Sequence, residues 1–168
     1  SIDDHPWLVE LARAVLLASE SRLVEKDGVW VIEGTPTEGS MAVFAYKAGL
    51  TRENELNARP RQDAIPFESE RRFMASLHRE PDTGSVVYVK GAPEKLLEMC
   101  SRQRSQQGEE DLDRPHWVRL EEELADTGHR VLAIASRRLD ESVSIEDADL
   151  EGLTLLGLAG IIDPPRDE

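Results

Sequence analysis

The residues best placed to do chemistry in this 168-residue chain fall in one stretch, SVVYVKGAPEKLLEMC at 85–100. Val86, Val87, Tyr88 and Val89 are β-branched or aromatic and favour a strand. Pro93 suits a first helical turn, and Leu96, Leu97 and Met99 recur at helical spacing. A tight turn at Gly91 then leaves Lys90 as a solvent-exposed charge at the C-terminal end of the strand, beside a helix N-terminus. There a cation and unpaired backbone N–H groups converge where an anion can sit. On spacing alone, an ordinary strand–turn–helix joint with a solvated lysine is the simpler reading.

A second candidate lies upstream. Residues 73–79 and 85–90 read as a hairpin turning at Pro81-Asp82-Thr83-Gly84, so Phe67 at its entrance and Lys90 at its exit share one end. An aromatic ring beside Arg71 or Arg72 and Lys90 suits a base carrying phosphates. The alternative for Phe67 is a core aromatic beneath Pro66. Farther upstream, Thr35 and Glu38 stand at capping-box spacing with Pro36 between them, which makes a helix cap the plain reading of Glu38.

These groups need elements to hold them. Apolar periodicity predicts helices over 6–19, 36–48, 51–57, 93–100 and 114–127, with Asp4 capping the first. Asp27-Gly28 between two alternating runs predicts a hairpin over 22–33. Residues 129–139 read as a strand, and LTLLGLAGII at 153–162, the most apolar run, as a central one. Arg59-Pro60-Arg61 reads as a break, 101–113 as a mobile loop and 140–149 as an acidic loop.

Composition narrows the function. Twenty Lys and Arg against 34 Asp and Glu give a net charge of −14, which disfavours nucleic acid and anionic membrane but leaves room for a nucleotide held by a few local cations. The single cysteine, Cys100, excludes an internal disulfide. No apolar run reaches transmembrane length and no signal peptide is visible, so the chain reads as soluble. There is no GxxxxGK[ST] loop, GxGxxG turn, EF-hand loop, clustered zinc-type histidines or serine elbow, so neither a catalytic nucleophile nor a metal site is assigned.

With these pieces in place, the chain resembles the nucleotide-binding domain of P-type cation-transporting ATPases. The resemblance rests on GTPTEG at 34–39, PFESERRFM at 66–74, KGAPE at 90–94, HRVLAIA at 129–135 and DPPR at 163–166, in the family's order. It implies an α/β fold with a mainly antiparallel twisted sheet flanked by helices, spanning residues 1–162, and a hinge strand at 163–168 toward a phosphorylation domain. It implies that Phe67 stacks on adenine, Glu38 faces its amino group and Lys90 lies near the base and the start of the phosphate tail. Met74 and Leu132 would line the pocket, Gly91 would let the backbone approach, Arg130 would reach the phosphates, and Arg72 would keep a positive charge in the nucleotide site. Arg72 stands where the family usually has lysine, and Ser69 where some relatives carry arginine.

The same resemblance implies a cytoplasmic domain of an integral membrane pump of the calcium, sodium–potassium or proton kind. ATP or ADP would be its ligand, with Mg²⁺ arriving as Mg-ATP and held mostly by another domain. The phosphorylation and actuator domains of the same parent would be its partners. The phosphorylated aspartate motif is not in this sequence, so the chain is expected to bind ATP without hydrolysing it. The runner-up is a non-enzymatic interaction domain using the acidic segments 108–113 and 140–151.

Overall fold

A computed structural model describes residues 4–19, 22–33 and 36–162. Helix α1 (Pro6–Leu17) is followed by the hairpin β1 (Arg22–Lys26) and β2 (Val29–Glu33), then by α2 (Pro36–Lys47) and α3 (Arg52–Ala58). Next come β3 (Arg61–Ile65), β4 (Phe73–Arg79), β5 (Ser85–Gly91), α4 (Pro93–Met99), β6 (Cys100–Ser105) and β7 (Gly108–Asp111). Helix α5 (Arg114–Asp126), β8 (Arg130–Leu139), a 3-10 turn at Asp147–Leu150 and β9 (Leu153–Ile161) complete it. The main sheet runs β3-β4-β5-β8-β9-β6-β7, antiparallel at every step except β6 against β9.

Alternation along the strands gives the sheet two apolar faces. Phe73, Ala75, Leu77, Val87 and Val89 pack against Leu96 and Leu97 of α4, with Trp117 of α5 on the same side. Met74, Val86, Tyr88 and Ile134 point to the other side, under Ala14, Val15 and Leu17 of α1 and Met41 of α2. Strand β5 is buried along its whole length, as expected of a strand covered on both faces. The α/β fold with a mostly antiparallel, helix-flanked sheet is thus the expected one.

The local punctuation also holds. Asp27 and Gly28 both take positive φ, 53° and 77°, which a tight two-residue hairpin requires. The Thr51 side chain accepts from the Asn54 N–H, and Asp113 from that of His116, to start α3 and α5. Asp4 does not cap α1; His5 is its N-cap, without a side-chain bond, and Pro6 supplies the start.

Two polar stretches are strands. Edge strand β3 starts at Arg61, directly after the break read at Arg59-Pro60-Arg61, and is not among the expected strands; 101–113, read as a mobile loop, contains most of the β6–β7 hairpin. Both lie at sheet edges, where ladder hydrogen bonds set the conformation and charged side chains face water. The buried Gln103 amide fixes the second: its oxygen accepts from Trp117 Nε1 at 2.7 Å and from the Asp113 N–H at 2.8 Å, and its nitrogen donates to Glu110 at 2.9 Å.

His78 is fully buried on β4, its ring 5.7 Å from that of Tyr88. The Arg59 carbonyl, 2.9 Å from Nδ1, can only accept, so Nδ1 carries the proton, while Nε2 lies 2.9 Å from the Ser76 hydroxyl, whose single proton is shared between Nε2 and the Leu17 carbonyl at 3.2 Å. Burial, with Arg61, Arg52 and Arg59 nearby, lowers its pKa from 6.5 to about 4. Above pH 6.5 the ring is neutral in both folded and unfolded chains; as pH falls toward 4 only the unfolded chain takes up the proton, so stability is lost over this window. The loss amounts to about 3 kcal/mol at ~1.4 kcal/mol per pKa unit. The melting temperature of the H78Q variant should therefore vary less over this window than that of the wild type, by thermal unfolding at stepped pH. Equal slopes would show that His78 is not the group responsible.

Candidate functional site

The β3–β4 connection, residues 66–72, closes on itself. The Arg72 N–H donates to the Glu68 carbonyl at 2.7 Å, and Arg71 donates to that of Pro66 at 2.8 Å. The Arg71 guanidinium also lies 3.6 Å from the Glu68 carboxylate and 5.9 Å from the centre of the Phe73 ring. Phe67 stays outside this arrangement with 55% of its surface exposed. It is therefore not a core aromatic. Burying that ring on folding was an alternative the sequence left open, and the loop geometry removes it.

The loop is anchored to the segment that follows β5. Gly91 pairs with Phe73, and a Cβ on Gly91 would lie 2.3 Å from the Arg72 carbonyl oxygen and 2.7 Å from Phe73 Cα. Gly91 thus serves backbone-to-backbone packing inside the ladder, and the tight turn expected there does not form. The Ala92 N–H donates to the Arg72 carbonyl at 3.0 Å, and the Arg72 guanidinium pairs with Glu94 in the first turn of α4. The negative group at that helix start is the chain's own Glu94.

Lys90 is not an exposed charge. It stands in register between Met74 of β4 and Ile134 of β8 and is only 6% exposed. Strand β5 continues one residue past it, so its stem lies under neighbours on both sides. Truncating it to alanine would disturb the core as well as remove a charge, contrary to the expectation from sequence. On β8, Leu132 and Arg130 alternate with Ile134 on the same face; Leu132 is half-buried and Arg130, the first strand residue, is exposed. Register carries all of this to one end of the sheet: loop 66–72, the Met74–Lys90–Ile134 row, Leu132 and Arg130.

An apolar cleft of about 510 Å³ opens beside this row, between α1, α2 and the ends of β8 and β9. Val15, Met41, Phe44, Ile134 and Ile161 line it, so it touches the Lys90 row through Ile134 without including Phe67, Lys90 or Arg72. Sequence reasoning did not find it, since its walls come from four elements remote in the chain. The Glu38 side chain and residues 163–168, including the hinge motif, lie outside the described residues. Burial pushes the pKa of Cys100 up to about 12, so this thiol is no nucleophile at neutral pH. Among the described residues no group of three His, Cys, Asp or Glu side chains is placed to hold a metal ion.

Comparison with known proteins decides the family: the profile of the P-type ATPase cytoplasmic domain N matches residues 7–168. The chain belongs to that family. It is 38% identical over 166 residues to a cation-transporting ATPase of Synechocystis sp., covering 97% of this chain and 18% of that protein. It is 39% identical over 174 residues to the probable cation-transporting ATPase F of Mycobacterium tuberculosis, covering 98% and 19%. A calcium-transporting ATPase of Bacillus subtilis is 33% identical over 181 residues, covering the whole chain and 19% of that protein. This domain N therefore spans about a fifth of the length of the curated relatives it matches. No helix among its described residues is long and apolar enough to cross a membrane.

The geometry separates the two hairpin residues by what they hold together. Gly91→Ala should lower stability by about 3 kcal/mol, because the added carbon meets backbone that cannot move aside. Phe67→Ala should change it by less than about 0.5 kcal/mol, as for most exposed positions. Denaturant unfolding of the two variants checks this, and comparable losses would contradict the loop geometry.

Proposed function

We propose that this domain N captures ATP at the β4–β5–β8 end of its sheet and presents the γ-phosphate to a catalytic aspartate carried by another domain of a parent cation pump. The observation that carries this reading is Phe67: a ring left out of the core on a loop that is otherwise closed on itself and tied to β5. An exposed aromatic face offers stacking to any base, at about 1–3 kcal/mol. Met74 and Leu132, on the same sheet face as Lys90, would supply apolar surface for the base, and Lys90 a positive charge near it. Arg72 and Arg130, exposed at the same end, suit the phosphate tail, and Glu38 suits the adenine amino group. Gly91 contributes by holding the loop to β5.

Phosphoryl transfer asks mostly for positioning and charge stabilisation, and the domain's share would be positioning. Mg²⁺ would arrive on the nucleotide and neutralise developing charge in the domain that bears the aspartate. In this reading the parent is an ATP-driven cation translocase in a membrane, and the phosphorylation and actuator domains are the partners of this one.

Calorimetry with ATP tests the reading. One stacked ring and a few exposed cations predict binding of about −4 to −6 kcal/mol, millimolar to tens of micromolar, with ADP close to ATP. Phe67→Ala should weaken it by about 1–3 kcal/mol at unchanged stability. Unaltered ATP affinity in that variant, or a strong preference for GTP, would reject the stacking site. The chain alone should also show no hydroxylamine-sensitive phosphorylation from γ-labelled ATP; labelling mapped to one of its aspartates would contradict the division of labour proposed.

A further inference from the structure

Arg72 is the point where the PFESERRFM and KGAPE segments meet. Among the described residues only Asp27 and Arg72 combine positive φ with a side chain, and Asp27 sits in a hairpin turn that calls for it. Arg72, at φ 67°, ends the turn at residues 69–71, and a long side chain in that region costs about 1 kcal/mol or more unless its surroundings impose it. Here they do. Its N–H is tied to the Glu68 carbonyl at 2.7 Å and its carbonyl to the Ala92 N–H at 3.0 Å, and only a glycine at 91 leaves room for that carbonyl. The guanidinium then pairs with Glu94. Gly91, Ala92 and Glu94 of one pentapeptide thus each act on this single arginine: one makes room, one holds the backbone and one takes the charge.

We infer that Glu94 is an internal competitor for Arg72, occupying in the nucleotide-free domain the guanidinium that a nucleotide's phosphates would engage. This rests on the ATP-binding reading above. Both side chains are about half or more exposed, at 45% and 64%, so the pair exchanges with solvent and yields to a stronger anion. A phosphate tail, with more charge and more acceptor oxygens than one carboxylate, is such an anion. Glu121 on α5 lies near Glu94: its carboxyl is raised by burial and next by the charge of Glu94. Glu94 therefore sits in surroundings already rich in negative charge, and these favour its pairing with Arg72 for as long as no phosphate competes. The competition acts on the phosphate contribution to affinity and leaves the contribution of the base unchanged.

The test is a double-mutant cycle in ATP and adenosine binding, using wild type, E94Q, R72M and the double variant, with thermal unfolding of each as a folding check. E94Q should tighten ATP about two- to fivefold, the range of an exposed ion pair. It should leave adenosine unchanged, and the ATP gain should shrink as salt is raised. In the R72M background the gain should vanish. An E94Q variant that binds ATP no better than wild type overturns the inference, as does an equal gain with R72M, which would make Glu94 a simple repulsive charge. If wild type binds no ATP while all four chains fold, the nucleotide reading itself falls and the competition with it.

Discussion

Strand β5 has a partner along its whole length on each side, and at its last residue there is no room for a side chain. Seven register pairs join it to β4 and seven more to β8, and the final pair on each side falls on Gly91. The absent Cβ brings β5 against the Arg72–Phe73 backbone, which draws loop 66–72 over the end of the sheet. That one close approach fixes the place of Phe67, the backbone of Arg72 and the start of α4. The rest of the fold covers the two faces of this ladder, with α1 and α2 on one and α4 and α5 on the other.

Lys90 and the two arginines of the candidate site differ in burial. Lys90 stands in register between Met74 and Ile134 and is almost wholly buried, and burying a lysine costs free energy unless its charge is matched by partners. The ladder fixes the Lys90 backbone, and burial restricts the stem that carries its charge. Arg72 and Arg130, exposed at the sheet's end, have the opposite character: they adapt, and they respond to salt. The candidate site therefore combines one buried lysine with two exposed arginines beside an exposed ring.

Much of this was legible in the residues. Apolar period and Gly or Pro punctuation located α1, the β1–β2 and β4–β5 hairpins, α5 and the apolar strand β9 to within a residue or two. Strands β3, β6 and β7 were not legible, because RQDAI, CSRQRS and GEED carry no apolar alternation. Their conformation comes from a ladder supplied by distant residues, and periodicity cannot report that. Lys90 was misjudged for a related reason: a lysine at the end of an apolar run looks like a strand end, and only the pairing to both neighbours shows it enclosed. The left-handed Arg72 follows from a glycine nineteen positions on, which no local rule connects to it. Met74, Leu132 and Arg130 were named through the family motifs, and the register then placed them at one end of one sheet.

The most direct test of the central claim is an amide chemical-shift titration of the chain with ATP. The account predicts fast-exchange shifts concentrated at Phe67, Arg72, Met74, Lys90, Gly91, Arg130 and Leu132, with β3 and β6–β7 unmoved. Shifts confined to the apolar cleft between α1 and α2, or absent at saturating nucleotide, would contradict it.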